Sequence, residues 1–261
     1  MGTLDVMLKK IEQAKALDFG NILSASIELF KKVWVNGLVV LLLQVALMIP
    51  LYLIVYLPFL AFGLFNTELF NGNQYFNNFE GLSFALILLM IVVYLFMITG
   101  VIFVQVGLKA AYYRIVNNKD LMLNQSDDYF FFFKRAYLKK TLVLVFAMIG
   151  IGLLALIFCV LPIFYAIIPM TYMTVIYAFN PDLSVSEIVK AGFELGNKKW
   201  LISFGLAFVA WFLSGVVGLL FCFVGVYVTQ QFINLPFYGV YKRVVGFNET
   251  DAIDEIGTVI E

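Results

Sequence analysis

The chain has 261 residues, of which 63% are hydrophobic and 13% charged, and its 17 Lys and Arg balance 17 Asp and Glu without a single His. Soluble domains carry about a quarter charged residues, so this composition excludes an ordinary water-soluble fold and makes lipid the main solvent. The missing imidazole excludes histidine-based triads, histidine-ligated metals and the commonest proton shuttle.

Residues 1–34 read as a cytoplasmic amphipathic segment carrying Lys9, Lys10, Lys15, Lys31 and Lys32. With no apolar run and no small-residue cleavage site, this segment is not a signal peptide. A membrane span needs about twenty mostly apolar residues. Stretches near 35–60 and 83–107 meet that need and form a first hairpin within 35–116, with a longer outward loop at about 61–82. That loop sets Asn66, Asn71, Asn73, Asn77 and Asn78 among aromatic rings, as a wet loop pinned to the interface would. Stretches near 139–158 and 161–179, with a tight turn between them, make a second hairpin within 117–180. The run Tyr129 to Phe133 precedes it, and its all-round bulk suits the headgroup boundary. Asn180-Pro181-Asp182 ends the fourth stretch, and Ser184 with Glu187 makes a capping box ahead of a surface helix. Stretches near 200–220 and 222–241 complete a third hairpin within 181–246, and 247–261 is an acidic cytoplasmic tail. Pro50, Pro58, Pro169 and Pro236 are expected to kink or terminate spans. Cys159 and Cys222 lie inside apolar stretches and read as buried small hydrophobes.

Every Lys and Arg falls on alternate connections. Cationic side chains resist translocation, so those connections and both termini are expected in the cytoplasm. The predicted fold is an all-α integral membrane protein with six transmembrane helices in three helical hairpins, plus amphipathic interfacial helices on the cytoplasmic side. A shift of 166 positions lays Ile22, Ala25, Glu28, Leu29, Lys32 and Trp34 on identical residues at Ile188, Ala191, Glu194, Leu195, Lys198 and Trp200. A second shift, of 63, aligns Phe130, Leu138, Gly152 and Phe158 with Phe193, Leu201, Gly215 and Phe221. Each unit holds two spans, so the three copies are expected as parallel repeats.

Chemistry finds little support. No Walker, Rossmann or serine-elbow pattern occurs, and no ionisable residue sits centrally in a span, so an enzyme is not expected and no cofactor or metal is predicted. Polar side chains at depth are Gln44, Gln105, Thr229, Gln230, Gln231 and Asn234. Gln230 and Asn234 share a helix face at spacing four, and with Gln105 they form the candidate polar pocket of an alternative reading, a transporter or lipid translocator. Ordinary interhelical hydrogen bonding explains the same residues. Ala210, Ser214 and Gly218, like Gly107 and Ala111, form small-residue stripes suited to close helix packing or to homodimerisation.

The sharpest candidates are the three junctions. Lys31 and Lys32 precede Trp34, Lys134 and Arg135 precede Tyr137, and Lys198 and Lys199 precede Trp200. Three equivalent basic pairs beside interfacial aromatics could collect anionic phospholipid headgroups, each cation gaining about 1 kcal/mol near a negative leaflet. The plainer account makes them topology determinants and snorkelling anchors. Membrane lipids are thus the expected partners, with a homo-oligomer or another membrane protein as further candidates; no nucleic acid is expected.

The wording from Ile22 to Lys32, and from Leu183 through Lys198-Lys199-Trp200, resembles a broad bacterial family of six-span inner-membrane proteins. That family is related to the membrane domain attached to some glycerophosphodiester phosphodiesterases. The soluble catalytic domain of those fusions is absent here, and its activity does not carry over. The expected role is that of a non-catalytic membrane scaffold or lipid-interacting accessory, and the resemblance implies a bacterial inner membrane as its place.

Overall fold

The computed structural model describes residues 2–65, 84–157, 161–220 and 224–247. The asparagine-rich part of the outward loop, the turn at 158–160, Cys159, Cys222 and the acidic tail lie outside them. The described residues hold helices joined by short connections, without strand: α1 (Thr3–Glu12), α2 (Phe19–Phe65), α3 (Phe84–Asp120), α4 (Arg135–Ile157), α5 (Leu161–Phe179), α6 (Val185–Lys198), α7 (Trp200–Leu220), α8 (Val224–Thr229) and α9 (Leu235–Val244). Short 3₁₀ turns occupy Phe131–Phe133 and Gln230–Asn234.

Five helical stretches are long and apolar enough to cross a membrane: Phe19–Ile54, Leu88–Asp120, Arg135–Ile157, Pro162–Phe179 and Trp200–Gly218. The chain is a multi-pass membrane protein. At about 1.5 Å per residue, the 47 residues of α2 extend roughly 70 Å, more than twice the hydrocarbon thickness of about 30 Å. One half of that length is packed in protein. Ile22, Ser26, Leu29, Val33 and Val40 recur at helical spacing and are buried. Beyond them Leu42, Val45, Ile49, Leu53 and Ile54 are exposed, as are Leu88 to Val92 and Tyr94 to Phe96 of α3. The exposed apolar surface continues along Val143, Phe146, Leu153 and Leu154 of α4 and Phe208, Trp211 and Phe212 of α7. Apolar side chains bare on this scale belong against acyl chains, not water.

Several expectations change. The cytoplasmic segment 1–34 and the first span are not separate elements, because α2 runs unbroken from Phe19, through Pro50 and Pro58, to Phe65. Asn36-Gly37 is too weak a breaker where Gly37 is buried at a crossing, a Cβ there falling 3.0 Å from Gln231 Cβ. Asp18 nevertheless caps α2 through its carboxylate, which accepts from Asn21 N at 2.6 Å. Ser184 does the same for α6, accepting from Glu187 N while Glu187 accepts from Ser184 N at 2.7 Å.

The apolar face of α6 rests on protein. Ile188, Ala191, Gly192, Leu195 and Gly196 are buried, and the helix lies antiparallel along α5, Gly192 opposite Met173 and Gly196 opposite Pro169. The two glycines remove the Cβ atoms that would hold the backbones apart. Pro169 sits inside α5 rather than ending it. In the most apolar window of α5, 56% of residues are buried, against 17–28% for the other candidate spans. It is the helix most enclosed by the others.

The aromatic run also turns inward. Phe132 is fully buried against Tyr177, with centroids 4.6 Å apart. Phe133 fills the space above Gly107, where a Cβ would stand 2.7 Å from its ring. The expectation of an all-round interfacial run is therefore corrected for Phe132 and Phe133, which plug the space between α3, α4 and α5, while Phe130 stays 45% exposed. The expected single helix over 222–241 is interrupted: α8 gives way to the 3₁₀ turn, and α9 restarts with Pro236 in its first turn. Pro236 lacks an N–H and its ring excludes the carbonyl four residues earlier, so an α-helical turn through Phe232 loses its bond. Ser214 and Thr229 stitch this break to α7, each hydroxyl donating to the other's carbonyl, at 2.8 and 3.0 Å. Ala210, Ser214 and Gly218 are all buried within the single chain.

Candidate functional site

The three basic junctions, alike in sequence, are built differently. At the first, the continuous turn of α2 presents Lys31 and Lys32 to the outside. Lys31 is paired with exposed Glu28 at 2.6 Å, and Trp34 is 43% exposed. Exposed pairs of this kind contribute little.

At the second, the chain enters α4 from the 3₁₀ turn. Lys134 meets Asp128 at 2.5 Å and lies 5.3 Å from the Phe131 centroid. Arg135 is exposed, and Tyr137 is stacked on Phe131 at 4.7 Å. The other face of this cluster is held by Arg114, whose guanidinium is 4.1 Å from the same ring.

At the third, α6 ends and α7 begins with only Lys199 between them. Lys199 is 6% exposed. Its ammonium donates to the carbonyls of Lys15 at 2.6 Å and Ala14 at 3.3 Å, fastening the link between α1 and α2 to this corner. Desolvation, and then repulsion from Lys198, holds its pKa below the ordinary lysine value. Lys198 points the other way and is exposed, with no hydrogen bond or ion pair among the described residues. Trp200 is fixed by its indole N–H, which donates to the Tyr165 carbonyl at 3.2 Å, and by stacking on Phe204. Tyr165 in turn donates its hydroxyl to Asn197 Oδ1. These contacts frame an open cleft lined by Phe164, Tyr165, Asn197, Lys198, Trp200 and Leu201. Tyr165 and Asn197 carry no signal of their own in the sequence, because the antiparallel packing of α6 on α5 alone brings them together.

The polar residues of the alternative reading separate. Gln105 and Gln230 are exposed, whereas Asn234 is buried. Spacing four assumed an α-helix; in a 3₁₀ turn residues three apart share a face, and Asn234 accordingly donates to Gln231 Oε1 at 2.7 Å. Gln231 reaches Gln44 on α2 at 3.5 Å. Two further clusters fasten the connections: Asp120 accepts from Tyr238 at 2.7 Å and pairs with Lys242 at 2.6 Å, and Asp127 joins Asn36 to Lys119. The chain matches no protein-family model, no curated protein and no solved structure.

Proposed function

We propose that this chain is a non-catalytic membrane scaffold or lipid-interacting accessory of a bacterial inner membrane, recruiting anionic phospholipid at its basic junctions. In this reading six spans form three parallel-repeat hairpins, the broken α8–α9 stretch supplying the sixth, and both termini are cytoplasmic. The junction wording shared with the six-span bacterial family supports it. The observation that carries it is the third junction, where an unpaired cation and an anchored tryptophan border the exposed apolar face of α7. Native mass spectrometry of the purified chain tests it. Neutralising Lys31, Lys32, Lys134, Arg135, Lys198 and Lys199 together is expected to abolish preferential retention of anionic over zwitterionic lipid, and unchanged selectivity refutes it. Impermeant labelling of single cysteines placed at Lys134 and Lys198 in sealed cells tests the topology; modification from outside refutes it.

One observation favours a second reading, translocation of a lipid or neutral solute. The interrupted stretch buries Thr229, Gln231 and Asn234 beside unwound backbone, an arrangement that discontinuous transporter helices use for binding. Replacing Gln231 and Asn234 with Leu then abolishes transport by reconstituted protein while leaving its fold intact. Destabilisation alone identifies packing contacts.

A further inference from the structure

We propose, resting on the lipid reading above, that the cleft at the α6–α7 corner is a discrete site for one anionic phospholipid. Lys198 and the Asn197 amide meet its phosphate, and Phe164 and Leu201 receive the first part of an acyl chain. Four arguments converge on that occupant.

The first is unspent charge. Lys31, Lys119, Lys134 and Lys242 each have a carboxylate within 3.0 Å, whereas exposed Lys32, Arg135 and Lys198 have none among the described residues, and of these three Lys198 is the one that lines the cleft, with Glu194 one turn earlier not paired with it. Lys199, the next residue, donates to backbone carbonyls and has no carboxylate partner among the described residues, so its charge is not offset. Two adjacent positive charges without an acid repel the ammonium of a zwitterionic headgroup and favour a net anion.

The second is a free donor. Asn197 Oδ1 is occupied by the Tyr165 hydroxyl, so the amide N–H₂ of this exposed residue is the group left to donate in the cleft that Lys198 also lines. Together they present the donors that a phosphate oxygen needs.

The third is the apolar wall. Leu201 is 78% exposed and Phe164 54% exposed, both lining the same cleft. A free phosphate gains nothing from them, whereas a diacyl lipid covers both.

The fourth is rigidity. The Trp200 ring is held by its hydrogen bond and its stacking, and α6 is locked on α5 by Gly192 and Gly196, so binding orders few side chains.

The experiment is native mass spectrometry of the full chain with phosphatidylglycerol and phosphatidylcholine. Lys198→Gln is expected to lower the retention ratio of the two lipids about fivefold, the equivalent of about 1 kcal/mol for one cation near an anionic headgroup. Asn197→Asp lowers it further by placing a like charge at the phosphate, and Leu201→Ser reduces retention of both lipids without changing their ratio. Lys9→Gln, exposed on α1 and outside the cleft lining, leaves the ratio unchanged. Unaltered thermal unfolding of Lys198→Gln, an exposed residue, shows that the fold is intact. An unchanged ratio in Lys198→Gln, with selectivity lost only when all three junctions are neutralised, overturns the discrete site and leaves the lipid reading standing. Absence of selectivity in the unmodified chain overturns both. Displacement of phosphatidylglycerol by excess glycerol phosphate overturns the lipid as occupant, since the acyl wall would then contribute nothing.

Discussion

The crossing of α6 over α5 rests on two glycines, and the space around each sets the cost of filling it. A Cβ on Gly196 falls 2.7 Å from Pro169 Cα, 2.8 Å from its Cγ and 3.0 Å from its Cβ. Carbon atoms in contact prefer about 3.5–4.0 Å, and a proline ring within a helix has no rotamer to give. Overpacking costs about 1–3 kcal/mol, while replacing helical Gly with Ala returns about 1 kcal/mol. Gly196→Ala should therefore destabilise by up to about 2 kcal/mol, which lowers Tm by up to roughly 8 °C in a chain of this size. Gly192→Ala comes closer to one atom, Met173 Cγ at 2.5 Å, but that atom belongs to a flexible side chain and the nearest backbone atoms are at 3.2 Å. Its loss should be smaller. Gly215→Ala on α7 has nothing within 4 Å and should be neutral or stabilising. Circular dichroism through thermal unfolding in detergent ranks the three. If Gly196→Ala unfolds at or above the temperature of Gly215→Ala, the tight crossing is wrong.

Removing the Ser214 hydroxyl or the Thr229 hydroxyl should each cost about 0.6–2 kcal/mol, because each donates to the other's backbone; unchanged thermal unfolding in both single variants argues against the stitch. The Ser184 hydroxyl and backbone N–H hold the Glu187 carboxyl below its usual pKa. A depressed carboxyl contributes stability that is present above its unfolded pKa and lost as pH falls through the folded one, so the advantage over Glu187→Gln should vanish on acidification below the ordinary glutamate range; a gap that persists there refutes the cap. Tyr113 is buried with a hydroxyl that has no hydrogen-bond partner among the described residues, whereas Tyr172 shares a hydrogen bond with Ser203 at 2.5 Å. Tyr113→Phe should be neutral or stabilising and Tyr172→Phe destabilising by about 1–3 kcal/mol, read as opposite shifts in thermal unfolding.

Much of the helical layout was legible because lipid imposes a crude rule on composition: long apolar runs with cations outside them. The Ser184–Glu187 cap was legible for a local reason, since capping is settled within four residues. What the sequence concealed depends on contacts between distant elements. Aromatic residues at 129–133 look interfacial when considered alone, and only Gly107 on α3 and Tyr177 on α5 provide the cavity that draws Phe133 and Phe132 inward. Gln230 with Asn234 was the wrong pair because their spacing presumed an α-helix where Pro236 enforces a break. Periodicity reports a face only when the helix type is known.

The basic junctions carry the same lesson into the site. Lys198 and Lys199 are adjacent and chemically identical, so nothing in the residues themselves separates them. Because Lys199 alone stands between α6 and α7, its side chain falls on the protein side of the corner, within reach of the Ala14 and Lys15 carbonyls. Its neighbour on the last turn of α6 falls on the open side. At Lys31-Lys32 the helix continues without a corner, both side chains stay outside, and Glu28 one turn back takes up one charge. At Lys134-Arg135 the corner exists, but Asp128 from the preceding loop reaches it. An exposed cation in an open, aromatic-walled cleft therefore arises at the third junction: the corner removes one lysine to structural duty, and among the described residues no carboxylate pairs with the other. Setting a carboxylate beside that cation tests this reasoning: Asn197→Glu, at an exposed position, should lose the lipid preference without loss of fold.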